Sequence, residues 1–342
     1  LALFNTKKAL ARACHLGQNR EMDLQRMLGM CERDQWSLDD IDWSRAPKRL
    51  SREDEEVIVQ YFYDMSGIER LAKELFRVQY RLTDDPTLKS IFESFVEDEE
   101  RHALAAERLA AFFNVHHYRD YEVCKELQEF KPRFLDLMEY LTPAIANAYV
   151  TCGELILDIA LIRSLNDYVD DPTCRQVMEL INRDESRHIA VDYYMTDYYS
   201  SDAYQEELKA GPSPSRRNQL RGLLALGRMF YYARPFFKQV FFEPMDRVDP
   251  SRKRMKEAFK RVQLITTRPG VNSKPFIRFM LALKWAVENP ILGRFARGTV
   301  VRITGADAYV LHTLYTEEEA KWASVAPMEE LAEEALAVKT SA

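Results

Sequence analysis

The sequence predicts an all-α protein, and three observations carry that prediction. Alternating apolar–polar runs of period two, the mark of half-buried strands, are scarce across the 342 residues. Helix-start signals recur: Ser51-Arg52-Glu53-Asp54 has a capping-box-like form, and Asp85-Pro86, Thr142-Pro143 and Asp171-Pro172 each place proline behind a capping residue. A stretch from Asp84 to His102 recurs 86 residues later, from Asp170 to His188, with nine identities over 19 positions, and both copies end in Glu-x-x-His.

Taken in order, residues 3–33 read as one or two amphipathic helices, and Ser37 to Ser51 as a polar connection carrying Trp36 and Trp43 at or beside it. The first long helix opens at Ser51 and runs to about Tyr80, and the second starts at Asp85-Pro86. A shorter helix is expected to begin at Pro132; the third long helix then starts at Thr142-Pro143 and the fourth at Asp171-Pro172. Gly211-Pro212-Ser213-Pro214-Ser215 is the clearest boundary. The expected organisation is an N-terminal helical extension (1–50), a four-helix unit (51–210) and a helical C-terminal region (211–342).

The repeat has chemical content. Residues three apart on a helix share a face, so Glu99 with His102, and Glu185 with His188, can each converge on an ion. A dinuclear site in a four-helix unit needs two such pairs and one inward glutamate from each of the other two helices. Glu69 lies 30 residues before Glu99, and Glu154 lies 31 before Glu185. Glu154 interrupts an apolar run from Ala148 to Leu157, where an uncompensated carboxylate costs several kcal/mol, roughly 2–7 for a polar group left unpaired. Glu74 competes with Glu69 for the first-helix role, but its counterpart in the second half is Ala160. The expected metal ligands are therefore Glu69, Glu99, His102, Glu154, Glu185 and His188.

With these motifs the chain resembles the ferritin-like di-iron carboxylate superfamily over roughly residues 51–200. The resemblance implies a ferritin-like four-helix bundle holding two irons, or a manganese–iron pair, with Glu99 and Glu185 bridging and Glu69 and Glu154 terminal. It also implies that Asp98 and Asp184 orient the histidine of the opposite repeat, because a ligating imidazole donates its other N–H to a carboxylate or carbonyl. Asp158 and Thr151, one turn either side of Glu154, are polar groups placed to support the site. Met65, Ala72, Ala106, Val150, Leu157, Ile181 and Val191 lie a turn from the ligands and would line an apolar substrate pocket or serve as plain core.

Within the superfamily, the reductase small subunit has its radical tyrosine where this chain has Ala106, and aryl-amine N-oxygenases have a third histidine where it has Ile181. Acyl-carrier desaturases share the Glu-x-Arg-His form of both motifs. The resemblance thus points to an O2-using di-iron oxidase or oxygenase acting on a hydrophobic acyl or aromatic substrate, free or borne on an acidic carrier protein or CoA. Such an enzyme needs two external electrons, for which a ferredoxin-like donor is expected, and a homodimer is the expected assembly. An N-oxygenase lacking the third histidine, or a protein that stores iron or removes peroxide, is the alternative.

The remaining features bound these expectations. Five cysteines, without a C-x-x-C and odd in number, suggest reduced thiols in a cytoplasmic protein. The longest apolar runs are broken by charges such as Arg278 and Lys284 and are expected to fall short of a membrane span. The net charge of −6 hides two opposite parts: residues 211–300 hold 19 Lys or Arg against five Asp or Glu, with aromatics interleaved, and the rest of the chain nets about −20. That basic segment reads as helices packed on the acidic part, as a docking surface for an acidic or phosphate-bearing partner, or as a membrane-surface patch. No nucleic-acid-binding module accompanies it.

Overall fold

A computed structural model describes residues 22–140, 142–210 and 215–341; the expectations for residues 3–21 and for Gly211–Pro214 lie outside them. Among the described residues all regular structure is helical. In chain order the α-helices are α1 (Leu24–Arg33), α2 (Arg52–Leu82), α3 (Pro86–Phe113), α4 (Lys125–Met138), α5 (Pro143–Ile156), α6 (Arg163–Val169), α7 (Pro172–Ser200) and α8 (Asp202–Ala210). There follow α9 (Arg216–Phe236), α10 (Glu243–Val248), α11 (Lys253–Ile265), α12 (Pro275–Glu288), α13 (Gly293–Thr304), α14 (Glu317–Val325) and α15 (Met328–Ser341). Two π-helical segments, Leu157–Ile162 and Phe237–Phe242, join α5 to α6 and α9 to α10.

The caps explain where the long helices start. Ser51 accepts from the backbone N–H of Asp54, Asp85 from those of Thr87 and Leu88, and Asp171 from those of Thr173 and Cys174. Each satisfies donors that a helix N-terminus otherwise leaves unpaired. Helix α2 packs along α3, α5 against α7, α2 against α5, and α3 against α7. The packing follows a seam of alternating three- and four-residue steps. On α2 it runs Ile58, Phe62, Met65, Glu69, Ala72, Phe76, all buried. On α3 it runs Phe92, Phe95, Glu99, His102, Ala106, Leu109, and on α7 Met178, Ile181, Glu185, His188, Asp192, Met195. The ionisable groups thus occupy core positions midway along helices whose remaining seam residues are mostly apolar.

Two expectations need correction. Pro132 does not begin a helix: α4 starts at Lys125 and carries Pro132 inside it. The buried series Leu127, Phe130, Phe134, Leu137 runs through the proline, whose exposed position lets water satisfy the carbonyl it strands. Likewise one stretch, Pro143–Val169, is long and apolar enough to cross a membrane by length and composition. Glu154 and Asp158 are too few to break it, but 72% of its most apolar window is buried inside the protein, as suits a core helix.

The C-terminal helices close on this core, with α11 against α5 and the first π segment, α15 against α7, and α9 against α4. Gly305 ends α13 with φ of 72°, a left-handed value, and a Cβ there would lie 2.6 Å from Cα of Arg234 on α9. Backbone cannot yield as a flexible side chain can, so Gly305→Ala is expected to cost about 1–3 kcal/mol, read as a lower midpoint in thermal unfolding.

Candidate metal centre

Four helices bring the six expected ligands together. Ligand atoms of Glu69, Glu99, His102 and Glu185 lie within 4.8 Å of one another, and so do those of Glu99, Glu154, Glu185 and His188. Glu99 and Glu185 belong to both groups, the arrangement that two bridged ions require. All six side chains are buried. Glu74, by contrast, sits at the surface in an ion pair with Arg77.

The histidines are held from behind. Nε2 of His102 meets Asp184 at 3.1 Å and Nε2 of His188 meets Asp98 at 3.4 Å, so each aspartate does serve the opposite repeat. This leaves Nδ1 of His102 facing Glu185 at 3.1 Å, and Nδ1 of His188 facing Glu99 at 3.1 Å and Glu185 at 3.0 Å. Arg187, itself buried, reaches Asp184 at 2.7 Å and Asp98 at 3.4 Å, tying the two supports together.

Trp36 is buried and bonded to the site. Its indole N–H donates to Asp184 at 2.6 Å, its ring stacks on His102, and the Arg101 guanidinium lies over the ring at 5.5 Å from the centroid. Trp36 is thereby connected through one carboxylate to a candidate ligand. No local motif in the sequence marks this role, because the partner is 148 residues away.

Glu69 and Glu154 sit well above the usual carboxylate range, first because burial penalises the charge and then because other glutamates crowd them. Glu99 is raised for the same reasons. For Glu185 burial acts in the same sense, but the His188 charge and hydrogen bonds from Glu154 and the histidines outweigh it and hold the group low. Burial would lower both histidines; the surrounding carboxylates reverse this and hold both well above the usual imidazole range. In Asp98 and Asp184 burial is likewise overcome by the histidine each supports, and both stay low.

The donor set fits divalent cations. Both carboxylate oxygens of Glu69 and of Glu99, one oxygen each of Glu154 and Glu185, and Nδ1 of His102 have no partner in hydrogen-bond geometry, although Nδ1 of His102 is within ion-pair distance of Glu185 and Nδ1 of His188 within that of Glu99. Buried acceptors rarely go unpaired, and their convergence is the pattern a cation would satisfy. Because His102, His188, Glu69 and Glu154 all bind protons more readily than usual, protons compete with metal. Uptake is expected to weaken on acidification by up to about tenfold per pH unit for each proton displaced per ion, measured by titrating the metal-free protein at several pH values.

A π segment explains why the two halves differ in spacing. Glu69 lies 16 residues before its helix-capping Asp85, whereas Glu154 lies 17 before Asp171. The additional residue falls where Leu157–Ile162 winds as a π-helix, which absorbs an insertion without displacing the flanking α-helix. Asp158 is buried within that segment and belongs to neither ligand group. Thr151 donates to the backbone carbonyl of Asn147 at 2.8 Å, so it is satisfied within α5. The seven apolar positions expected around the ligands are all buried in the core.

Asp192 was not anticipated. It follows His188 by four residues on the seam of α7, at the place equivalent to Ala106, and both its carboxylate oxygens are buried without a hydrogen-bond partner. Burial pushes its carboxyl well above the usual range. The unfolded chain releases that proton near the ordinary aspartate value, so the cost to folding is absent below about pH 4 and grows above it. Asp192→Asn is therefore expected to stabilise by about 1–2 kcal/mol at pH 7 and by nothing measurable at pH 4. Thermal unfolding of both proteins at the two pH values checks this; an equal gain at both would refute it.

No family model matches the chain, and no curated protein matches it.

Proposed function

We propose that the chain is a ferritin-like four-helix bundle holding two iron ions, or manganese and iron, and that it uses O2 to oxidise a hydrophobic substrate. The observation that supports this most is the pair of overlapping ligand groups sharing Glu99 and Glu185. Carboxylate and imidazole donors suit iron or manganese. When bound, two reduced ions of this kind supply electrons to O2 and an oxidant for unactivated C–H or N–H bonds.

The chain's own residues would do the following. Glu69 and His102 would hold one ion and Glu154 and His188 the other, with Glu99 and Glu185, common to both groups, shared between them. Asp98 and Asp184 fix the histidines in the tautomer that leaves Nδ1 free for metal. The buried apolar shell around the ligands excludes water and favours an acyl or aromatic substrate. For a ferredoxin-like donor a bonded route would run from Trp36 through Asp184 to His102, Trp36 lining a surface depression of about 530 Å³ together with Lys73, Glu100 and Arg101.

The deciding experiment loads the metal-free protein with Fe(II) anaerobically, counts bound ions and then admits O2. About two irons per chain and a transient visible absorption are expected. Incorporation of many irons per chain would favour iron storage instead, and no bound iron would overturn the reading. A screen of acyl and aromatic substrates with an electron donor then tests the oxidation itself.

A further inference from the structure

The basic C-terminal charge is of two kinds. Close to the bundle it is neutralised: Arg247 pairs with Glu53 and Asp54, Arg254 with Asp167, and Arg261 with Glu257 and Glu334. On α9, α12 and α13 it is not. Arg217, Arg221, Arg228, Arg278, Arg294 and Arg297 are exposed and have no ion pair among the described residues.

Large apolar side chains lie exposed beside these arginines. On α9, Leu220, Leu223, Leu224 and Tyr231 are spaced along one stripe, and Arg217, Arg221 and Arg228 form the adjoining one. Around the turn from α12 to α13, Trp285 is 60% exposed, Ile291 76% and Phe295 80%, with Arg294 and Arg297 alongside. The three helices are contiguous, since Phe230 of α9 meets Phe279 of α12 and the end of α13 packs on α9 at Arg234. Exposed apolar residues are ordinary singly, but a group on adjoining helices, interleaved with unpaired arginines, marks an interaction surface.

We propose that this face binds the surface of a membrane rich in anionic lipid. The arginines would lie among the headgroups, and Trp285, Ile291 and Phe295 would reach the acyl boundary, as in helices that lie in the interfacial plane. A second copy of the same face would repel it, because both carry unpaired positive charge. An acidic protein would satisfy the arginines but gives no reason for Ile291 and Phe295 to protrude to such exposure. The helices concerned do not include Pro143–Val169, the one stretch among the described residues long and apolar enough to span a bilayer, so the proposed contact is peripheral.

The full chain is sedimented with vesicles of phosphatidylcholine alone and of phosphatidylcholine with phosphatidylglycerol, at low and at near-physiological salt. Binding to the anionic vesicles is expected, with a blue shift in tryptophan emission that Trp285→Phe removes. Ile291→Ser with Phe295→Ser, and separately Arg294→Glu with Arg297→Glu, should each weaken binding about tenfold or more while helical content and bound metal stay unchanged. Absence of binding overturns the proposal. So does binding that the apolar pair does not alter and that leaves the emission unshifted, the result an acidic macromolecular partner predicts. Glu185→Ala should still bind vesicles, so failure of the metal reading and failure of this one are distinguishable.

Discussion

Glu185→Ala is expected to strip the protein of both metal ions, whereas Glu154→Ala should leave about one per chain. The difference follows from position. Glu185 contributes to both ligand groups and stands within 3.1 Å of each imidazole, while Glu154 belongs only to the group around His188. Neither change should unfold the helices, because the apolar seam around each position persists; Glu154→Ala removes a carboxylate whose ionisation burial opposes, whereas Glu185→Ala gives up favourable pairing with the histidines and is expected to lower the thermal midpoint. Metal analysis after loading and desalting, paired with far-ultraviolet circular dichroism, checks both parts. Two ions retained in the Glu185 variant would remove the basis for a bridged pair. Equal loss in the two variants would argue for a single strongly coupled site.

Much of this centre was legible because its residues obey short-range rules. Glu-x-x-His places two candidate ligands on one face through helix geometry alone, and the 86-residue repeat supplies the second pair. Asp85-Pro86 and Asp171-Pro172 mark helix starts that the structure reproduces with the same pair of backbone bonds in each. The one-residue difference in glutamate spacing was also visible, but its cause was not. A π segment depends on how α5 packs against α7 and α11, not on a local signature. Pro132 misled because a proline read as a start signal can also sit inside a helix wherever its exposed side is hydrated.

The long-range supports were the least legible. Trp36 reaches Asp184 only because α1 lies against α3 and α7 and carries the following loop across them. Asp192 could have been found by extending the three-and-four periodicity of the ligand seam beyond His188, where a carboxylate replaces the small Ala106 of the first repeat. The exposed stripes on α9 and α13 were visible as composition. That the arginines there lack acidic neighbours, while those nearer the bundle have them, depends on tertiary placement.

Arg187→Met is expected to cause the largest loss of folding stability, about 3–5 kcal/mol at neutral pH, the usual result of removing one partner from a buried ionic network. Arg187 is only 2% exposed and its Nη2 serves both Asp184 and Asp98, so the substitution removes one partner from each of two buried carboxylates, leaving Asp184 to His102 and Trp36 and Asp98 to His188 and Arg101. Their pKa directions set the pH window. Asp98 and Asp184 are held low in the folded protein, burial being outweighed chiefly by the histidines and, for Asp184, also by Arg187. The stability they contribute is therefore complete above the unfolded value near 4 and disappears as pH falls through the lower folded values. Without Arg187 those folded values rise, so the deficit of the variant should be greatest at neutral pH and shrink below about pH 4. Arg187→Lys should recover only part of it, because a compact ammonium lacks the planar fork that spans two carboxylates. The same loss loosens both imidazoles, and metal affinity should drop about 10–100-fold with every direct ligand intact. Thermal unfolding against pH, alongside metal titration, separates these effects. A variant within about 1 kcal/mol of the parent at pH 7 would show that the histidines, with Trp36 and Arg101, suffice to hold the two aspartates ionised.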